Sequence, residues 1–465
     1  MAAGITPRAA VTLPDGIAAP RCTILRTVNP SALPAPFDLA TADQLSTEKL
    51  ALRVYGMPRV AEAIRQADAL FRGDPTALTR DGAATLEQAV RDVTFCAVTY
   101  AVSADPARPR ILWTQTPPHS WHGFSVPGAR YNLENPDNIY RLIQIDGSHR
   151  YRIAGCRSGA GPAQFLFELI DSAPGITSIG NQIDCLRGEQ LQVGPDGRFT
   201  ITVGPEPGTA GNHLRSTPAT RAIFIRDVLS DWERQTANSL RIEMIEGPVA
   251  PAPSDSDLEE RAALWVPGFA AFWLNFRTFM FETIWHGAIN KLPELDKRIG
   301  AWGYVTGARY HLARDDALIV RIDGLDARYI GFQLADPWGM IGTDYIHKTG
   351  SLNNTQAQPN EDGTWTYVIS LRDPGVANWL DADGLEEGTL LIRWQQIAAA
   401  RAPAGAPAAE PSSKGAIRDV RVAKVDDIRG LLPALVVDAG YRAAQRVARC
   451  RSFERRLHHI EPTNG

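Results

Sequence analysis

The residues best placed to do chemistry lie on one aromatic stretch, GFAAFWLNFRTFMFETIWHGAIN, at 268–290. At 100° per residue, Asn275, Thr278, Glu282 and His286 fall within about 80° of one another on a helix otherwise made of Phe, Trp, Leu, Met and Ile. Glu282 and His286 are spaced i, i+4. A carboxylate one turn from an imidazole orients it and raises its pKa, as a general base requires. The pattern assigns His286 as base and Glu282 as its orienter, with Asn275, Trp273, Trp285 and Trp302 lining a substrate pocket. The competing reading is an amphipathic helix turning its wet face outward. Arg277 falls on the opposite, apolar side and needs a partner. That predicts a helix held between domains, where pockets form.

Two further constellations are weaker. WTQTPPHSWHGFSVPGARYNLENPDN (113–138) places His119 and His122 three apart, with Asp137 and Asn138 following. Two imidazoles at this spacing suit a metal, but the prolines exclude a helix and no third ligand is well spaced, so no metal site is assigned. Tyr310, His311, Asp344, His347, Asn353 and Arg393 form a polar set that strand alternation can aim at one face. Of these, His347 is a candidate acid, and Tyr310 and Arg393 are candidate substrate contacts. The chain has no GxGxxG after a strand, no GxxxxGK[ST], no GxSxG and no HExxH. Nucleotide-dependent redox chemistry and phosphoryl transfer are disfavoured, and no cofactor is expected.

The elements that must position these residues follow from composition and period. The 465 residues are 44% hydrophobic and 22% charged, with a formal net charge of −4, as in globular chains. Without a basic surplus, nucleic acid is an unsuitable partner. Five scattered cysteines with no CxxC read as reduced thiols and suggest a cytoplasmic protein. The N-terminus shows no apolar signal segment. The aromatic stretch carries charges that argue against a membrane span.

Residues 1–40, rich in Pro and Ala, read as an extended arm, and 41–109 as helices. Runs such as NIYRLIQID, RYRIAG, QFLFELID and RFTITVG then read as antiparallel strands with tight turns. QFLFELID (164–171) aligns with YIGFQLAD (329–336), GRFTITVG with GTWTYVIS, EPGTAGNHL with DPGVANWL, and RAIFIR with GTLLIR, at an offset of 165 to 167 residues. A constant offset across four matches implies duplication. The predicted fold is α+β and mainly β. Two tandem antiparallel β-sandwiches of jelly-roll type occupy 110–246 and 297–398. A linker and aromatic helix (247–296) joins them, and a second linker and helical tail (399–465) follows.

Both copies keep an acid, Pro-Gly, Asn and Leu in DPGVANWLD (373–381) and its counterpart, which backbone turn geometry explains. The copies differ where Trp379 replaces His213 and Asp381 replaces Arg215. Asp381 is therefore the better candidate acid, and Trp379 a substrate contact.

YVTGARYHL, YIGFQLAD, SLNN, DGTWTYVIS, DPGVANWLDADG and LLIRWQ, over about 300–396, resemble the family known as domain of unknown function 1214. The first copy is similar more weakly. The resemblance implies jelly-roll-like sandwiches and brings no catalytic residues with it.

Three functions are expected. The first is a cofactor-independent lyase, isomerase or hydrolase for a small, largely apolar steroid, terpenoid or aromatic. The second is a carbohydrate-binding or carbohydrate-active sandwich using Trp338, Trp365, Trp379 and Trp394. The third is an assembly module, most simply a homodimer, wrapped by its arm and tail.

Overall fold

The structure, a computed structural model, describes residues 38–157, 159–208, 211–248, 250–297, 303–340, 342–397 and 414–458. Trp302, expected in the pocket, lies outside them.

The chain opens with helices α1 (Ala42–Tyr55), α2 (Pro58–Gly73) and α3 (Arg80–Ser103). α3 starts at Thr79, whose hydroxyl caps the Gly82 amide, satisfying one of the amides that a helix start leaves unpaired. The first copy contributes β1 (Leu112–Thr114), a hairpin of β2 (His119–Trp121) and β3 (Phe124–Val126), then β4 (Asn138–Gln144) and β5 (Arg150–Cys156). β6 (Gln164–Ile170), β7 (Gln182–Arg187), β8 (Arg198–Gly204), β9 (Asn212–Arg215), β10 (Ala222–Val228) and β11 (Ser239–Glu246) complete it. Helix α4 (Asp255–Thr278) leads to the second copy: β12 (Asp296–Lys297), β13 (Tyr304–His311), β14 (Asp316–Ile322), β15 (Ala327–Ala335) and β16 (Ser351–Asn353). β17 (Trp365–Ser370), β18 (Trp379–Asp381), β19 (Glu387–Ile397) and β20 (Ile417–Lys424) follow. A short α5 (Ile428–Leu431) and a long α6 (Ala439–His458) end the described chain.

The two copies repeat one topology. Their five-stranded sheets run β1-β4-β10-β6-β7 and β12-β13-β19-β15-β16; their four-stranded sheets run β11-β5-β8-β9 and β20-β14-β17-β18. Pairings are antiparallel except β8–β9 and β17–β18, the same parallel pair in each copy. The expected α+β fold with two sandwiches is therefore present. Its second copy is closed by β20, which comes from the segment expected to be linker and tail; strand pairing with β14 across that long connection leaves no local mark in sequence.

Burial separates the sheets. β5 and β8 alternate buried with exposed residues, so the four-stranded sheet of the first copy has one face in water. β4 is buried at all seven positions, because α3 and α4 cover the other face of its sheet. Each sandwich has its own apolar core, and a third core joins α1–α4 to Tyr140, Leu142 and Phe224.

The Pro-Gly turn is structural in the second copy. Gly375 takes φ +73°, and its amide is held by Asp373 Oδ1 at 2.8 Å. Asn378 does not cap that turn, as its position suggested. Its amide reaches Gln358 N, Gln358 O and Thr366 O at 2.8, 2.7 and 3.0 Å. Asn212 makes the same three bonds, to Gln192 N, Gln192 O and Thr200 O.

Candidate functional site

The aromatic helix does not build the expected pair. α4 begins at Ser254, which forms a capping box with Asp257, so SDSDLEE is helix start and not linker. Past Thr278 the chain widens into a π-helix over Phe279–Ile284, with Trp285 N bonded to Met280 O. The 100° spacing that aligned Glu282 with His286 fails there. Glu282 is exposed and pairs with Arg309 at 3.1 Å; His286 is exposed at φ +52°. Asn275 and Thr278 are also exposed. The polar stripe is the wet face of the helix. Arg277, itself buried, does find partners: it bonds the half-buried Asp74 at 2.7 Å and Thr76 at 3.0 Å, over the ring of Trp338.

The other candidates are dispersed. Trp285 is fully buried beneath β13, where a side chain at Gly307 would collide with its ring. Tyr310 points into the second sandwich core, while Arg393 lies on the opposite face, bonded to Gln333 and to Leu133 O. Alternation along the strands separates them instead of aiming them together. Asp381 is buried, its carboxyl raised by desolvation, with Arg446 3.8 Å away. His347 is exposed and pairs with Asp344 at 3.1 Å. Trp379 is buried under Arg442 and donates to Ser370 O. Trp338, Trp379 and Trp394 are all buried, so they form no exposed platform for sugars. His119 is buried between Trp113 and Trp121, 3.6 Å from Glu48, whereas His122 is exposed. The two imidazoles do not converge.

What the fold does bring together surrounds α3 and the stretch RYNLENPDN (130–138). Gln88, Asp92, Cys96 and Tyr100, each four residues after the last, form a polar ridge on one face of α3. Arg130 meets it, bonding Asp92 Oδ2 at 2.9 and 3.3 Å. Gln88 donates to the same oxygen at 3.0 Å. Gly128 makes the approach possible. It takes φ +100°, and a side chain there would fall 1.9 Å from Asp92 Oδ1, so only glycine fits.

Arg130 also reaches Glu134 Oε1 at 3.4 Å, and the Gly342 amide donates to that oxygen at 3.0 Å. Asp92, Arg130 and Glu134 are all buried. Two carboxylates thus share one cation away from water. Burial raises both acids, Arg130 opposes it, and the Asp92 charge adds to the rise at Glu134, which is pushed up to about 7. Arg130 stays charged: burial disfavours its cation, but the flanking carboxylates more than offset that. Among the described residues, Glu134 Oε2, Asp92 Oδ1 and both side-chain polar atoms of Asn132 are buried without a hydrogen-bond partner. Buried polar atoms are rarely left so.

The surroundings are aromatic. Tyr131 stacks on Trp273 at 4.4 Å and meets Phe269 and Tyr100 edge-on. Tyr100 also bonds Thr114 at 3.1 Å. Burial pushes the Cys96 thiol up, so it is neutral. Of the substrate contacts assigned from sequence, Trp273 stacks on Tyr131, and Arg393 touches the stretch at Leu133 O and through Gln333, which bonds Glu134 O. Asp137 anchors its far end, accepting from Trp232, Tyr329 and Asn353 at 2.7, 2.7 and 2.9 Å. Sequence reasoning missed Asp92, Arg130 and Glu134. The available signal was an aspartate inside the apolar run VRDVTFCAV, followed at i+4 and i+8 by Cys and Tyr.

No family model and no curated protein matches the chain. Among solved structures, an uncharacterised protein from Burkholderia cenocepacia is similar, with TM-score 0.63 and 26% identity over 81% of this chain and 99% of that one. A protein from Vibrio parahaemolyticus aligns with TM-score 0.36 and 11% identity, over 63% and 90%. The Burkholderia likeness supports the fold. No helix among the described residues is long and apolar enough to cross a membrane.

Proposed function

We propose that the protein is a cofactor-independent acid–base enzyme (a lyase, isomerase or hydrolase) acting on a small, largely apolar molecule such as a steroid, terpenoid or aromatic. Glu134 takes the proton-transferring role first assigned to His286. The observation that carries this reading is the Glu134 carboxyl, buried beside Arg130 with Oε2 unpartnered among the described residues; burial pushes it up to about 7. A group poised near the working pH transfers protons in both directions most effectively. Arg130 holds Oε1 and stabilises negative charge, Asp92 positions Arg130, and the Tyr131–Trp273 stack supplies an apolar wall.

The test is turnover. Steroid, terpenoid and aryl ketones are incubated with the protein in D₂O and followed by proton NMR for exchange beside the carbonyl, with aryl esters assayed for hydrolysis in parallel. The expected result is activity on one apolar class, with a pH inflection near 7 that disappears in Glu134→Gln. Undiminished activity in Glu134→Gln, or no turnover of any class, overturns the reading.

A further inference from the structure

α6 crosses from one sandwich to the other and is held by arginines as well as by Phe453 and Leu457. Arg442 bonds Asp373 and Val376 O of the second copy; Arg449 bonds Tyr345 O and Ser351 Oγ; Arg455 reaches the carbonyls of Trp232 and Glu233 in the first copy. Between the helix, the loop at 230–234 and the chain at 352–356 lies a cleft of about 520 Å³. That is within the usual range for small-molecule sites. The helix offers Tyr441, Ala444, Gln445, Ala448 and Ser452 to it, one face by i, i+3/i+4 spacing. Ala444 and Ala448 stand where a packed helix would carry bulk, and their methyls leave the space open.

The lining decides the ligand. Its carboxylates, Asp231 and Glu233, are balanced by Arg234 and Arg449. Arg449 already spends its donors on Tyr345 O and Ser351, and the exposed Arg234 stands 4.0 Å from Asp231, so the lining carries no net positive charge to favour an anionic ligand. Trp232 is no stacking platform: Arg449 and Arg456 lie 4.7 and 4.5 Å from its ring. What remains is a set of neutral amides and hydroxyls. The oxygen of Gln445 is taken by Arg442, and that of Gln356 by Asn353 N and Arg449. Their NH₂ groups therefore face a ligand as donors. The hydroxyls of Thr355, Tyr441 and Ser452 can donate or accept, beside an apolar strip of Leu352 and the two alanines.

We infer that this cleft is a binding site for a small uncharged polyhydroxylated molecule, of the size of a mono- or disaccharide or a cyclic polyol. It is separate from the Glu134 cluster and does not depend on it.

The experiment is calorimetric titration of the full chain with D-glucose, maltose and myo-inositol, with cholate and inorganic phosphate as apolar and anionic controls. Binding of at least one neutral probe is expected, weakened tenfold or more in Ala448→Phe, which fills the cleft. Gln356→Ala, which removes a donor without adding bulk, should weaken it several-fold and keeps the test decisive if the phenylalanine variant does not fold. Glu134→Gln should bind as wild type, so loss of turnover and loss of sugar binding report on different sites. Absence of binding by all three neutral probes, binding unaffected by Ala448→Phe or by Gln356→Ala, or binding of the controls alone overturns the proposal.

Discussion

The two sandwiches share strand order, a parallel pair and the Asn clamp, yet they are covered differently. The large sheet of the first copy meets the polar ridge of α3: Gln144 of β4 donates to Tyr100 O at 2.6 Å, and the loop before β4 carries Arg130 and Glu134. The large sheet of the second copy meets the aromatic end of the α4 segment, Phe281 and Trp285 against Leu391. At the parallel pair the contrast reverses. Trp379 and Asp381 lie beneath Arg442 and Arg446 of α6, while His213, on the first copy, bonds only locally to Thr202 and Glu206 O. The duplicated scaffold supplies rigidity. The buried cluster of Asp92, Arg130 and Glu134 sits where unduplicated helices and loops pack on it.

The largest expected effect separates the covered face from the scaffold. Arg130→Met leaves Asp92 and Glu134 buried without their cation, and chemical denaturation should show a loss of about 3–5 kcal/mol. An equal loss from cutting an exposed pair would remove the distinction between cluster and surface.

A pH series tests the same face. The folded chain holds a proton on Glu134 up to about pH 7, while an unfolded glutamate releases it near the ordinary value of 4.5. The contribution is therefore fully present below about 4.5 and is lost as pH rises through about 7. It amounts to about 3 kcal/mol across that window, at 1.4 kcal/mol per pKa unit. In Glu134→Gln this slope should flatten.

The scaffold itself is probed by Asn378→Ala and Asn212→Ala. Each removes three buried or half-buried hydrogen bonds, and each should cost about 1–3 kcal/mol by denaturation. The loss should be larger at Asn378, which is fully buried, than at Asn212, which is 9% exposed. A neutral result at either position would break the equivalence of the copies. Smallest of all, Glu282→Ala should change stability by under about 1 kcal/mol, because its partner Arg309 is also partly exposed.

Much of the scaffold was legible in the chain. Alternating apolar residues marked β5 and β8, the break at RGDP separated α2 from α3, and a constant offset revealed the duplication. Arg277, charged on an apolar helix face, demanded a partner and finds Asp74. The candidate site was not legible in the same way. Periodicity placed Glu282 beside His286 on an assumption of ideal helix geometry that the π-turn at 279–284 defeats.

The sequence by itself determined the local elements and their repetition, because caps, turns and burial patterns depend on neighbours a few residues away. Only tertiary structure decided that Asp92 and Glu134 share Arg130, that β20 returns after a long connection to close the second sandwich, and that α6 spans both copies. Those choices depend on which distant surfaces exclude water together, and a carboxylate carries no local signal of the cation it will be buried beside.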